Sequence, residues 1–131
     1  AANELLEHAF VFGRHWYGTP RLPVERALRE GRFMILDIDV QGALQIRRSM
    51  PEALLVFVLP PSDTELPGGS KREIALAQNS GAYDGFVVNA RLEEAVETIG
   101  EMVAERRRSK AAPRDCDQDS HQRQPGSSAS A

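Results

Sequence analysis

Apolar and polar positions come in blocks along the chain, and the clearest block is Phe33 to Gly42, FMILDIDVQG, where an apolar run closes on two acids one residue apart. Such a run, with Gly31 just ahead of it, predicts a strand buried on both faces and ending at a polar edge. A second run, Ala53 to Leu59, ends at Pro60 and Pro61 and predicts another buried strand; Phe86 to Asn89 predicts a short third one. Helical spacing appears at Val24, Ala27 and Leu28 between Pro23 and Gly31. It returns from Val40 through Ala43, Leu44 and Arg47 to Met50, where Pro51 stops it, and again at Leu92, Ala95, Val96, Ile99 and Val103. Residues 3 to 12 predict a short helix with Leu5, Leu6 and Ala9 on one side. The following GRHWYGTPRLP reads as a loop carrying aromatic rings. Ser62 with Glu65 predicts a helix opening cut off at Pro67, Gly68 and Gly69. Ser70 with Glu73 predicts a second capped helix ending near Gly81.

Alternating strands and helices with continuous apolar strands predict an α/β fold, a parallel sheet with flanking helices. Three strands are few for a sheet that needs cover on both faces. At 131 residues the chain makes one domain at most. From Ala111 onward it is rich in Pro, Gly, Ser, Gln and Asp without apolar period, and residues 111–131 are expected to be a disordered tail.

Charge and composition narrow the partners. A net charge of -3 offers no general field for nucleic acid. The Arg106, Arg107, Arg108 and Lys110 cluster has no interleaved aromatics, so it is read as a solvated helix C-terminus, with a nucleic-acid patch as the lesser alternative. The longest apolar runs reach only about seven residues, short of the ~20 a membrane helix needs, and no signal peptide is expected. The single Cys116 excludes an internal disulfide and fits a reducing, cytoplasmic setting. His8 and His15 have no second His or Cys at metal-ligand spacing.

Candidate chemistry centres on Asp37 and Asp39. Side chains alternate along a strand, so the two are expected to point the same way, with Ile38 facing the other. Adjacent carboxylates repel unless a cation or a hydrogen-bond donor lies between or above them; a strand end with two solvated acids is the plainer alternative.

LLEHAFVFG, WYGTPR, GRFMILDIDVQGALQIR, MPEALLVFVLPPS and FVVNARLEEAV, in that order, resemble the guanylate kinase family over nearly all of residues 3 to 105. The resemblance implies a nucleoside monophosphate kinase fold and phosphoryl transfer from Mg-ATP to GMP, giving ADP and GDP. It implies that Glu7 lies near the guanine, that Asp39 reads the guanine, and that Asp37 holds magnesium through its water shell. Tyr17 and Thr19, with Gly18 between them, match the GMP-binding tyrosine and hydroxyl, and Asn89 matches a residue on the adenine side. Guanine offers an N1 proton and a 2-amino group on one edge, two donors that a carboxylate accepts together, whereas adenine has an acceptor at N1. Buried hydrogen bonds of this kind discriminate by ~10⁴ or more. On residue type alone, Glu7 also fits a solvated acid and Tyr17 a packed aromatic. The resemblance divides the chain into a partial kinase domain over 1–110 and the tail: 1–31 in the GMP-binding region, 32–66 core, 67–70 a shortened lid, 71–110 the remaining core.

Departures from the family pattern bear on activity. G-x-x-x-x-G-K-[ST], whose backbone amides and lysine hold ATP phosphates, occurs nowhere in the 131 residues. The arginine-rich lid is reduced to Pro67-Gly68-Gly69-Ser70, and a catalytic arginine of that kind is worth ~10³ to 10⁵ in rate. GRHWYG has one residue more than the usual spacing, and Ala90 stands where Asp is common. In the family the phosphate-loop strand lies between the LDID strand and the LLVFVLP strand. Without it, residues 33–39 and 53–59 are expected to pair directly, borrow a strand from another chain, or leave unpaired edges open to self-association. The expectation is an incomplete guanylate kinase, inactive and poorly stable by itself; the alternative is a non-catalytic module that binds GMP or a protein partner.

Overall fold

The computed structural model describes residues 4–11, 13–62 and 64–111. The tail expected beyond Ala111 and Cys116 lie outside the described residues.

The chain opens with an antiparallel hairpin, β1 (Leu5–Val11) on β2 (His15–Pro20). This corrects both the helix expected over residues 3–12 and the loop expected after it. Trp16 stands opposite Phe10, ring centroids 5.2 Å apart, and its ring also lies 5.8 Å from His8. The aromatic rings assigned to a loop are cross-strand pairing material. Between Leu5 and Glu7 the register slips by one residue. That bulge sends both Leu6 and Glu7 inward, where strict alternation would have buried only one of them.

Helix α1 (Arg21–Arg29) buries Val24 and Ala27 and stops as expected at Gly31, whose φ is +73°. There the amide of Arg32 donates to Ala27 O and that of Gly31 to Leu28 O, the paired bonds of a glycine-terminated helix. Residues 32–39 form neither helix nor strand and join no sheet. The strand expected to be buried on both faces is therefore a half-covered segment. Leu36 and Ile38 pack on the core, while Phe33 is 53% and Ile35 93% exposed. A strand gains its order from main-chain neighbours, and among the described residues this one has none. Helix α2 (Val40–Ser49) follows, buries Val40, Gly42, Ala43 and Ile46, and ends at Met50 before Pro51.

β3 (Val56–Leu59) and β4 (Gly85–Val88) form a parallel pair, with Asn89 N extending the ladder to Leu59 O at 2.7 Å. Helix α3 (Gly68–Ser80) connects them and ends at Gly81, φ +67°. Neither expected capping pair forms. No helix opens at Ser62, and α3 begins after Pro67 with no side-chain cap. Glu73 instead reaches another helix. α4 (Leu92–Ala111) closes the described chain.

The core is thin. Leu6, Val24, Ala43, Ile46 and Leu55 form its centre, flanked by Leu36, Ile38, Met50, Ala53 and Tyr83. Among the described residues no large side chain is completely enclosed; the most buried positions are alanines, Ala27, Ala77 and Ala43. Polar bonds at Asp84 tie its edge together. Asp84 Oδ2 accepts from Leu55 N at 2.8 Å and Arg47 Nη2 at 2.6 Å, and Arg106 Nη2 lies 3.3 Å from Oδ1. Arg47 also donates to Ala82 O and Pro51 O, so one guanidinium joins α2 to two loops.

Candidate functional site

The bulge in β1 aims Glu7 at the first turn of α2, where its side chain is 4% exposed. Thr19, paired with Glu7 across the hairpin, donates its hydroxyl to Glu7 Oε1 at 2.5 Å. The other oxygen, Oε2, lies over Gly42, where a Cβ would collide with it. Among the described residues no buried side-chain oxygen lacks a partner, and Oε2 receives no hydrogen bond. It is therefore not fully enclosed by the protein.

Asp39 reaches the same glycine from the other side. Its carboxylate caps α2, Oδ1 accepting from Gly42 N at 3.0 Å. A carboxylate suits that position, since unpaired N–H groups and the positive end of the helix dipole meet there. A third acid joins from α3, Glu73 Oε1 accepting from Val40 N at 3.3 Å. Tyr83 feels this cluster: burial, with the charges of Glu73 and Asp39, pushes its hydroxyl from 10.0 up to about 12. Glu7 and Asp39 thus converge on Gly42, each with one oxygen engaged and one without a protein donor among the described residues.

Tyr17 lies two residues from Thr19 on the same face of β2, 60% exposed, its ring edge-on to His15 at 6.3 Å. Gly18 packs where a side chain would crowd Leu5 and the Glu7 carbonyl. Glu7, Gly18, Thr19 and Asp39 are therefore gathered, with Tyr17 at the rim. Asp37 is exposed two residues before the cap, and Asn89 sits at the end of β4, in the other sheet. No cluster of three His, Cys, Asp or Glu that could hold a metal occurs among the described residues. Asp37 alone fits magnesium only at one remove, through water, with phosphate oxygens supplying the direct ligands.

Sequence patterns missed three participants. Gly42 and Gln45 lie inside the LDIDVQGALQ stretch and Glu73 in an expected helix cap, but none was assigned to a site; a Gln pair four apart in VQGALQ, straddling a glycine, was the available signal. Gln45 takes both main-chain groups of His8, accepting from its N–H at 3.0 Å and donating to its carbonyl at 2.7 Å. A solvent-open groove of about 320 Å³ between Leu44, Arg47, Arg48, Ser80, Gly81 and Ala82 shares no residue with this site. No helix among the described residues is long and apolar enough to cross a membrane.

A family model for guanylate kinase matches residues 1–106. Guanylate kinase of Thermus thermophilus is 46% identical over 120 residues, covering 79% of this chain and 54% of that protein. That of Leifsonia xyli is 59% identical over 66 residues, covering 50% of this chain and 26% of that protein. The crystal structure of guanylate kinase from Anaplasma phagocytophilum superposes with a TM-score of 0.65 at 32% identity, over 79% of this chain and 56% of that one. The chain spans about half the length of the relatives it matches along most of its own. A family model that matches residues 1–106, relatives 46% identical over 79% of the chain, and a solved guanylate kinase that superposes on its α/β core make this chain a member of the guanylate kinase family.

Proposed function

We propose that these residues form the GMP-binding side of a guanylate kinase, and that by themselves they bind GMP without transferring phosphate to it. The observation that carries this reading is the burial of Glu7 beside Thr19 and Gly42 with one carboxylate oxygen left over, opposite Asp39. Guanine N1–H and its 2-amino group are donors of the kind those oxygens lack. Tyr17 and Thr19 hydroxyls border the site, with Tyr17 exposed enough to meet a phosphate without adding charge.

The ATP side finds little support in these 131 residues. No phosphate-binding loop motif occurs in them, and of the short segment 67–70 that stands in the place of a lid, Gly68 to Ser70 form the first turn of α3. Magnesium bound with ATP would supply charge neutralisation on the transferring group; this chain's contribution to it would be Asp37 through water. In the whole protein the family's reaction, ATP plus GMP giving ADP plus GDP, is the activity the site would serve, in a cytoplasmic setting.

Calorimetric titration tests the reading. GMP is expected to bind saturably and AMP far more weakly, and Glu7→Gln to weaken GMP by ~10- to 100-fold, as loss of a hydrogen bond to a charged group does. Equal binding of the two nucleotides, or none, would overturn it. A coupled assay for ADP is expected to give no turnover; rates in the ordinary ~1 to 100 per second range would show that these residues suffice for catalysis. The alternative, a module for a protein partner, predicts a cooperative thermal transition insensitive to GMP.

A further inference from the structure

β2 covers one edge of β1, and the opposite edge faces α2. On that edge the main chain is met by side chains in place of a third strand. Gln45 closes a two-bond ring with His8, and Gln41 Nε2 approaches Phe10 O at 3.5 Å. The match follows from pitch: four helical residues advance about 6 Å and two strand residues about 6.8 Å, so glutamines at i and i+4 meet main-chain groups at j and j-2. Gln45 provides both strong bonds; the Gln41 contact is at the limit of bonding distance.

The ring fixes the peptide groups on either side of His8, immediately after Glu7. The same helix carries Asp39 at its N-cap and Gly42 beneath Glu7 Oε2. One amide thereby sets how far the hairpin's carboxylate stands from the helix's carboxylate. We propose that Gln45 is a positioning residue for nucleobase specificity: by holding β1 on α2 it fixes the Glu7–Asp39 spacing that distinguishes guanine from bases lacking the 2-amino group. This rests on the GMP-binding reading. Gln45 touches no nucleotide in it and acts through Glu7.

The test compares GMP with IMP, which has the N1 proton but no 2-amino group, by calorimetry on the full chain. Wild type is expected to prefer GMP by about tenfold or more. Gln45→Met keeps the bulk without the amide; it is expected to lower GMP affinity about tenfold, leave IMP within about twofold, and so collapse the preference. Gln45→Glu retains the acceptor for His8 N–H but not the donor to its carbonyl, and serves if the Met variant does not fold; it is expected to lose most of the preference too. Gln41→Met is expected to change neither affinity by more than about twofold, in keeping with its long contact. Hydrogen exchange at the His8 amide, faster in Gln45→Met, reports the broken ring without ligand. A preference retained in the folded Gln45 variants, or GMP and IMP weakened in parallel, overturns the positioning role while leaving the GMP reading intact. No GMP preference in wild type sinks that reading and this inference with it.

Discussion

At Gly42 a single hydrogen stands where any other residue would place a carbon against the Glu7 carboxylate. Glycine inside a helix costs roughly 0.5–1 kcal/mol relative to alanine, so packing of the acid is what the position gains in return. Gly42→Ala is expected to separate the two effects. Helix propensity favours the variant, while displacement of Glu7 weakens GMP about tenfold or more, measured by calorimetry beside a melting curve. Asp84 gives a pH-dependent counterpart. Burial opposes its ionisation, but the Leu55 N–H, the hydrogen bond and charge of Arg47 and the charge of Arg106 outweigh it, and its carboxyl titrates below the ordinary 3.8. A lowered folded pKa means that its contribution is fully present above about 3.8 and is lost as pH falls through the folded value. Denaturation midpoints are expected to drop in that acid window, and Asp84→Asn to be less stable at neutral pH and flatter below it.

Helix α2 links core and site more than any other element. Its buried face, Val40, Ala43 and Ile46, supports the core, while Asp39, Gly42 and Gln45 serve the hairpin. Ile46→Ala is expected to cost about 2–5 kcal/mol in chemical denaturation, because Ile46 is 3% exposed at the centre of the cluster. This helix was legible beforehand, from Val40 to Met50, since apolar period and a proline stop agreed. The hairpin was not. Leu5, Leu6 and Ala9 fit a helical face and a bulged strand alike, and the deciding partner, Trp16 opposite Phe10, becomes visible only once the chain folds back. The Ser70–Glu73 pair failed for a related reason: Glu73 found the amide of Val40, 33 residues away, a better-placed donor than a cap local to α3.

Among the described residues, main-chain edges remain open: residues 32–39 join no sheet and β3 pairs only with β4, the unpaired-edge outcome of the three that a missing central strand allows. Ile35 at 93%, Val58 at 50% and Val88 at 51% exposure are the apolar counterparts of those edges. Such edges invite another strand. Sedimentation velocity is expected to show concentration-dependent self-association, suppressed by Ile35→Lys; a strictly monomeric protein at high concentration would count against it. The thin, alanine-rich core agrees with a modest melting temperature.

Family membership and the parallel α/β class could be read from residue order, because motifs and apolar periods are local properties of a chain. The approach of Glu7 to Gly42, the clasp of Gln45 on His8 and the Asp84 network could not. Each joins groups far apart in the sequence through contacts that leave no periodic trace, and only packing chooses which group meets which.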